Sequence, residues 1–175
     1  MILQNRPVLQ LQLKYFDEPV NIIHWMQELN VQFYVYWFQT TDNIVLKYGE
    51  SGDCQTGEFG ERLYRQAGHI PGWSQSTPWL VGSSGEDMAQ ILKDFEEVYK
   101  RRLFKNDIVI NVLPMNKTVT SSIKEICEHF ERVLINEHIA THGLPPIGNK
   151  DHKTNRQLRW HLNTNLLKNV VEFGE

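Results

Sequence analysis

Two side chains in a predicted β-hairpin are of types that could handle a proton. Residues 31–38 and 44–48 are rich in β-branched and aromatic residues, and a polar stretch joins them, which predicts a hairpin. A two-residue turn at Thr41 and Asp42 would place Tyr36 directly opposite Lys47 on one face of the sheet. The ammonium would favour the phenolate and lower the pKa of Tyr36 from about 10. Such a phenol could act as a general base; the alternative is an exposed lysine and an ordinary strand tyrosine.

Arginines follow the hairpin on a short predicted helix. A loop with four glycines, residues 49–60, leads into a helix that begins near Glu58 and carries Arg62 and Arg65. A guanidinium group donates a fork of hydrogen bonds that suits phosphate oxygens. Arg65 has His69 four residues later, so either arginine could bind a phosphate.

A carboxylate occurs much later, on the longest predicted helix, residues 118–142. Glu131 shares a stripe with Ile135, His138 and His142, at spacings of four, three and four, which places it beside the buried face of the helix. There it could bind a divalent cation at the rim of a cleft. The alternative is a solvated helix glutamate, as expected for Glu137 on the same helix.

The remaining pattern predicts the elements that must position these groups. Strands are predicted at residues 31–38, 44–48 and 107–113, with a weaker alternating run at 8–13. Helices are predicted at residues 21–29, 86–103, 118–142 and 158–171. We expect one domain with an N-terminal arm (1–30), a core (31–149) and a C-terminal extension (150–175). A small sheet with helices makes the fold class α+β or α/β.

Composition restricts the class of protein. The chain has 175 residues, 41% hydrophobic and 22% charged, with a net charge of -3; this is an ordinary globular mixture and excludes a uniformly basic nucleic-acid binder. Its two cysteines are too few for a disulfide framework or a four-cysteine zinc site. No apolar stretch approaches the roughly 20 residues of a membrane span, and the N-terminus lacks the pattern of a signal peptide. We therefore expect a cytoplasmic protein.

The order of these pieces resembles the GIY-YIG nuclease superfamily over roughly residues 33–149. Tyr34-Val35-Tyr36 stands at the Gly-Ile-Tyr motif and Lys47-Tyr48-Gly49 at the Tyr-Ile-Gly motif. The lysine is similar to that of the restriction endonucleases that use Lys-Ile-Gly, as is the later run from Glu131 to Asn149. The resemblance implies an α+β fold with a small three-stranded, mainly antiparallel sheet flanked by helices.

The resemblance also implies roles for individual residues. Tyr36, or in its place Tyr34, would accept a proton from water, and Lys47 would keep the phenol ionised. Arg62 would bind the phosphate, because Phe59 precedes it at the spacing usual in the family; Arg65 is the alternative. Glu131 would bind Mg²⁺ or Mn²⁺, and Asn149 would hold the end loop or form a hydrogen bond near the metal. Tyr48 is expected in the core, on the opposite face of the sheet.

The function implied is hydrolysis of DNA phosphodiester bonds by a type II restriction enzyme that acts on duplex DNA as a homodimer. The residues expected to contact DNA are Arg65, His69, Lys150, Lys153 and Arg156. Alternatives are a phage or mobile-element nuclease of looser specificity and a non-catalytic nucleic-acid-binding module on the same scaffold. A histidine-based metal hydrolase that uses His138, His142 and His152 is the least favoured, because no His-Glu-x-x-His motif is present.

Overall fold

The computed structural model of the chain describes residues 7–52, 60–74, 83–115, 122–149 and 170–173. The strands are β1 (Val8–Gln12), β2 (Phe33–Thr40), β3 (Val45–Ser51), β4 (Ile108–Met115) and β5 (Val170–Phe173). The α-helices are α1 (Asn21–Glu28), α2 (Glu61–Ala67), α3 (Ser83–Tyr99) and α4 (Ile123–His142). Three short 3-10 turns span Leu13–Tyr15, Lys105–Asp107 and Ile147–Asn149.

The strands form one sheet in the order β3-β2-β4-β1-β5. The first four are antiparallel neighbours, and β5 pairs with β1 in parallel. The α+β class is therefore confirmed, but the expectation of three strands is wrong.

The weak alternation of residues 8–13 marks a full member of the sheet, and the segment expected as an N-terminal arm supplies β1 and α1 to the common core. The helix expected over residues 158–171 is wrong where the structure describes it, because Val170 and Val171 lie in β5; residues 158–169 lie outside the described ranges.

Helices cover both faces of the sheet. On one face, β2 packs Tyr34, Tyr36 and Phe38 against α1, α2 and α3. On the other face, Val35 and Trp37 pack against α4. Strands that are buried on both faces have nearly continuous apolar runs, which explains why β2 is so rich in aromatic residues.

The long helix α4 has the amphipathic pattern expected of it. Leu134 and Ile135 are buried against the sheet, whereas Arg132 and Glu137 are exposed. The helix ends at Gly143, which has a positive φ of 81°, a backbone conformation that glycine adopts without strain. Among the helices in the described ranges, none has the length and apolar character needed to cross a bilayer.

The hairpin forms, but its predicted register is wrong. Tyr36 pairs with Gly49 rather than with Lys47, and Lys47 pairs with Phe38. Two features cause the shift of two residues. The backbone amide of Thr40 donates to the Ile44 carbonyl, so three residues rather than two form the turn, and β3 contributes one extra residue to the ladder between Phe38 and Gln39. Lys47 is thus a diagonal neighbour of Tyr36 on the sheet instead of its direct partner.

Candidate active site at the edge of the sheet

Tyr36 has its ring directly over the main chain of β3. A Cβ atom added to Gly49 would lie 2.4 Å from both Cζ and Oη of Tyr36, so only a glycine leaves room for the phenol at this place in the pairing. The ring also contacts Phe38 edge-on, with 5.9 Å between centroids. The glycine that ends the Lys47-Tyr48-Gly49 motif therefore has a packing reason, which is the close approach of the tyrosine.

The environment of Tyr36 opposes ionisation. Burial raises the pKa of Tyr36 well above its ordinary value, and the neighbouring phenol of Tyr34 acts in the same direction. A hydrogen bond from Gln66 and the charge of Arg62 act in the opposite direction. The expectation that Lys47 lowers this pKa is wrong for two reasons. Tyr36 is only 2% exposed, so burial raises its pKa, and in the observed register Lys47 is no longer directly opposite Tyr36.

Arg62 joins α2 to β3. Its Nη1 donates a 3.0 Å hydrogen bond to the main-chain oxygen of Glu50 and lies 3.6 Å from Oε1 of the same residue. The Arg62 side chain is 47% exposed, so part of the guanidinium group faces solvent. Arg65 instead forms an ion pair with Glu61 of its own helix. Of the two candidate arginines, Arg62 is the one that contacts the hairpin.

Glu131 lies among charged groups of β3. Burial raises the pKa of Glu131 to about 7; the carboxylate of Glu50 adds to this effect, and the ammonium of Lys47 opposes it. Glu131 also interacts electrostatically with Tyr36. The acid of α4 therefore faces the same strand region as the tyrosine and the arginine.

Asn149 binds the outer edge of β3. Its side-chain Oδ1 accepts a 2.8 Å hydrogen bond from the backbone nitrogen of Tyr48, and its Nδ2 donates a 3.0 Å bond to the Tyr48 carbonyl. The amide thus takes the place of a neighbouring strand. Gly148 packs flat beside it, since an added Cβ would lie 2.8 Å from both Leu46 O and Lys47 Cβ. Tyr48 itself packs on the α4 face, as expected.

The donor set suits one hard divalent cation with few protein ligands. Glu131 and Glu50 are carboxylates that interact across β3, and Mg²⁺ is commonly bound by one or two carboxylates, with water and phosphate oxygens completing its shell. No group of three or more His, Cys, Asp or Glu side chains that could hold a metal occurs in the described parts of the chain. Glu131 and Glu50 are the residues of this region that could hold such a cation.

The other predicted residues lie apart from this cluster or outside the described ranges. His69 lies beyond the end of α2 and is partly buried. Lys150, Lys153 and Arg156 lie outside the described residues, and so does His152. The Nδ1 of His138 donates a 2.7 Å hydrogen bond to the Leu144 carbonyl, and its ring centroid lies 4.5 Å from that of His142.

Two residues of the site were missed at the sequence level. Glu50 follows the motif glycine, and its side chain is 11% exposed between Arg62 and the backbone nitrogen of Gly52, which donates to it at 2.7 Å. Gln66 is 2% exposed and contacts Tyr36. The signal for Gln66 was present, because it lies four residues after Arg62 and hence on the same face of the helix.

Comparison with known proteins adds no relative: no family model, no curated protein and no solved structure matches the chain.

Proposed function

We propose that this protein is a metal-dependent endonuclease that hydrolyses phosphodiester bonds of duplex DNA, of the GIY-YIG type, and that it acts as a homodimeric restriction enzyme. One observation carries the proposal: three chain segments far apart in sequence bring Tyr36, Arg62 and Glu131 to the same part of β3. The order of elements supports it too, because the hairpin, α2 and α4 occur in the order that the resemblance implies.

The charges of the cluster suit a phosphate. The exposed part of Arg62 offers N–H donors to non-bridging oxygens, and the ammonium of Lys47 lies close enough to Glu131 to influence its pKa. When bound at Glu131, a divalent cation would polarise the scissile phosphate and stabilise the leaving oxygen. Fixed charges at a partly buried site are typically the largest contribution to such catalysis.

Tyr36 is the group of the cluster that can accept a proton from water. Its raised pKa makes the phenolate a minor species near neutral pH, but also makes that phenolate a strong base. The positive charge of Arg62 lowers this pKa, and positive charge brought to Glu131 would act in the same direction. Both phenols are buried, but the electrostatic interaction with Glu131 involves Tyr36 and not Tyr34, so Tyr36 is the better candidate.

A homodimer fits the chemistry, since one such centre cuts one strand and two symmetric subunits would cut a palindromic duplex. The second candidate function is a non-catalytic nucleic-acid-binding module on the same scaffold. It is favoured by the burial of Tyr36, whose oxygen is already bonded to Gln66.

The test is cleavage of supercoiled plasmid by the purified protein with Mg²⁺ or Mn²⁺. We expect cleavage that EDTA stops, and we expect Glu131→Gln to reduce the rate by at least about 10²-fold while DNA binding persists. Glu137→Gln is the matched control, because Glu137 is an exposed glutamate of the same helix. DNA binding without cleavage by the wild-type protein would favour the non-catalytic module, and equal loss in both variants would show that Glu131 has no special role.

A further inference from the structure

We propose that Gln66 is a positioning residue that holds the hydroxyl of Tyr36 for its proton-accepting role; this inference rests on the proposed function. The Nε2 atom of Gln66 donates a hydrogen bond of 2.6 Å to Oη of Tyr36. The phenol also lies against Gly49 of β3, so its oxygen is in contact with both α2 and β3.

The burial of Gln66 argues for a specific role. The residue is 2% exposed and lies on the inward face of α2 near the buried Leu63 and Ala67. Its Oε1 is buried and accepts no hydrogen bond from the part of the chain that the structure describes. A buried amide that is only half satisfied costs stability relative to an apolar side chain of the same shape. Packing alone would therefore be served better by leucine or methionine.

The helix geometry couples Gln66 to the phosphate-binding arginine. Arg62 and Gln66 are four residues apart, so they project from the same face of α2. Arg62 contacts β3 at Glu50, while Gln66 contacts β2 at Tyr36. A single helical turn thus sets the positions of the guanidinium group and the phenol relative to each other.

The hydrogen bond has a chemical consequence besides orientation. A donor to the phenol oxygen stabilises the phenolate more than the neutral phenol, because a hydrogen bond to a charged acceptor is the stronger one. Gln66 accordingly lowers the pKa of Tyr36 against the larger, raising effect of burial. Removal of the donor should make the phenol harder to ionise.

The experiment compares Gln66→Met with the wild-type protein, both carrying fluorinated tyrosine, whose phenol ionises at lower pH than that of tyrosine. The ¹⁹F resonance of Tyr36 is assigned as the one that Tyr36→Phe removes, and its pKa is measured by titration. We expect Gln66→Met to raise this pKa by roughly one to two units. We also expect single-turnover cleavage by the unlabelled protein to fall about 10- to 100-fold, with unchanged affinity for DNA.

Two further variants complete the design. Gln66→Leu repeats the test with a second apolar side chain, should methionine fail to pack. Gln90→Met is the control, since Gln90 is exposed on α3 and donates to Asp94 at 2.9 Å; it should change neither measurement. A Tyr36 titration in Gln66→Met that coincides with the wild type, or a shifted titration with an unchanged rate, would overturn the role of Gln66. Failure of the wild-type protein to cleave DNA would instead overturn the proposed function, so the two failures are distinguishable.

Discussion

The antiparallel part of the sheet ends at β3 on one side and at β1 on the other, and the outward sides of these two strands are covered in different ways. Beside β1, the strand β5 pairs main chain to main chain, with Val8 opposite Val170 and Leu11 opposite Phe173. Beside β3, side chains bond the outward-facing backbone instead: Asn149 binds both backbone polar groups of Tyr48, and Arg62 binds the carbonyl of Glu50. Either arrangement provides partners for outward-facing backbone groups of the strand it covers. Only the second way, however, brings polar side chains from distant segments to one strand.

The β3 side also carries an electrostatic cost that the β-ladder on the other side does not require. Burial raises the pKa of Glu131, and repulsion from the carboxylate of Glu50 adds to this rise. Perturbed ionisation that has a specific charge partner is typical of functional sites. The contrast suggests that β3 is closed by the residues of a site, whereas β1 is closed by ordinary structure.

The largest expected effect is the loss of DNA cleavage in Tyr36→Phe, which tests whether the β3 side of the sheet is a catalytic site. Tyr36→Phe removes the hydroxyl oxygen that lies beside Gln66 and Gly49, while the ring keeps its packing. We expect the cleavage rate to fall by about 10²- to 10⁴-fold, the usual contribution of a general base. The free energy of unfolding in urea should fall by only about 1–3 kcal/mol, because the buried Gln66 amide loses its partner. Tyr15→Phe serves as the control, because Tyr15 is 48% exposed. Cleavage by Tyr36→Phe at the wild-type rate would show that Tyr36 is not the general base.

Local patterns in the sequence were sufficient to predict the strands and helices that carry the site. The alternation and composition of β2 and β3 predicted the hairpin, and the apolar stripe of α4 placed Glu131 at the margin of its buried face. The choice of Arg62 over Arg65 agrees with the contact at Glu50. These features depend on neighbours along the chain, which is why they could be predicted.

Features that depend on non-local contacts could not be predicted. The longer turn and the irregularity after Phe38 together change the partner of Tyr36, and with it the predicted effect of Lys47 on the pKa. The membership of β1 in the sheet depends on its pairing with β4, about a hundred residues later in the chain. The helix spacing places Gln66 on the face of Arg62, but its burial and its contact with Tyr36 depend on how α2 packs on the sheet. Register and burial are properties of the assembled sheet, so a single sequence leaves them open.

The next effect concerns Glu131 and tests whether its burial beside β3 reduces the stability of the folded protein in a pH-dependent way. The pKa of Glu131 is raised from 4.5 to about 7 in the folded protein. Below pH 4.5 this carboxyl group is protonated in both the folded and the unfolded chain, so it does not reduce stability. Between pH 4.5 and about 7 it ionises more readily in the unfolded chain, so the free energy of unfolding falls as the pH rises, and the loss is complete above about pH 7. We expect Glu131→Gln to raise the free energy of unfolding at pH 8 by about 1–3 kcal/mol, after discount for its partial exposure, and to leave it unchanged near pH 4.

Urea unfolding at the two pH values, without divalent cations, measures this difference. Glu137→Gln is again the control, and it should be neutral at both pH values because the side chain is exposed. Mg²⁺ should stabilise the wild type but not Glu131→Gln, since the cation needs the carboxylate. Equal stability of Glu131→Gln and wild type at pH 8 would mean that the acid is solvated and that the cluster carries no electrostatic cost.

The smallest expected effect tests the closure of β3 by a side chain. Asn149→Ala removes two partly buried hydrogen bonds to Tyr48, of 2.8 and 3.0 Å, and should lower the free energy of unfolding by about 1–2 kcal/mol. The backbone amide of Tyr48 should exchange its hydrogen faster, while the amides between β1 and β5 keep their wild-type rates, because main-chain pairing there is untouched. Asn149→Asp retains the acceptor for the Tyr48 amide but loses the donor to its carbonyl, so it should protect that amide better than alanine does. If the Tyr48 amide exchanged at the same rate in all three proteins, the amide of Asn149 would not be what closes this edge, and the distinction between the two sides of the sheet would fail.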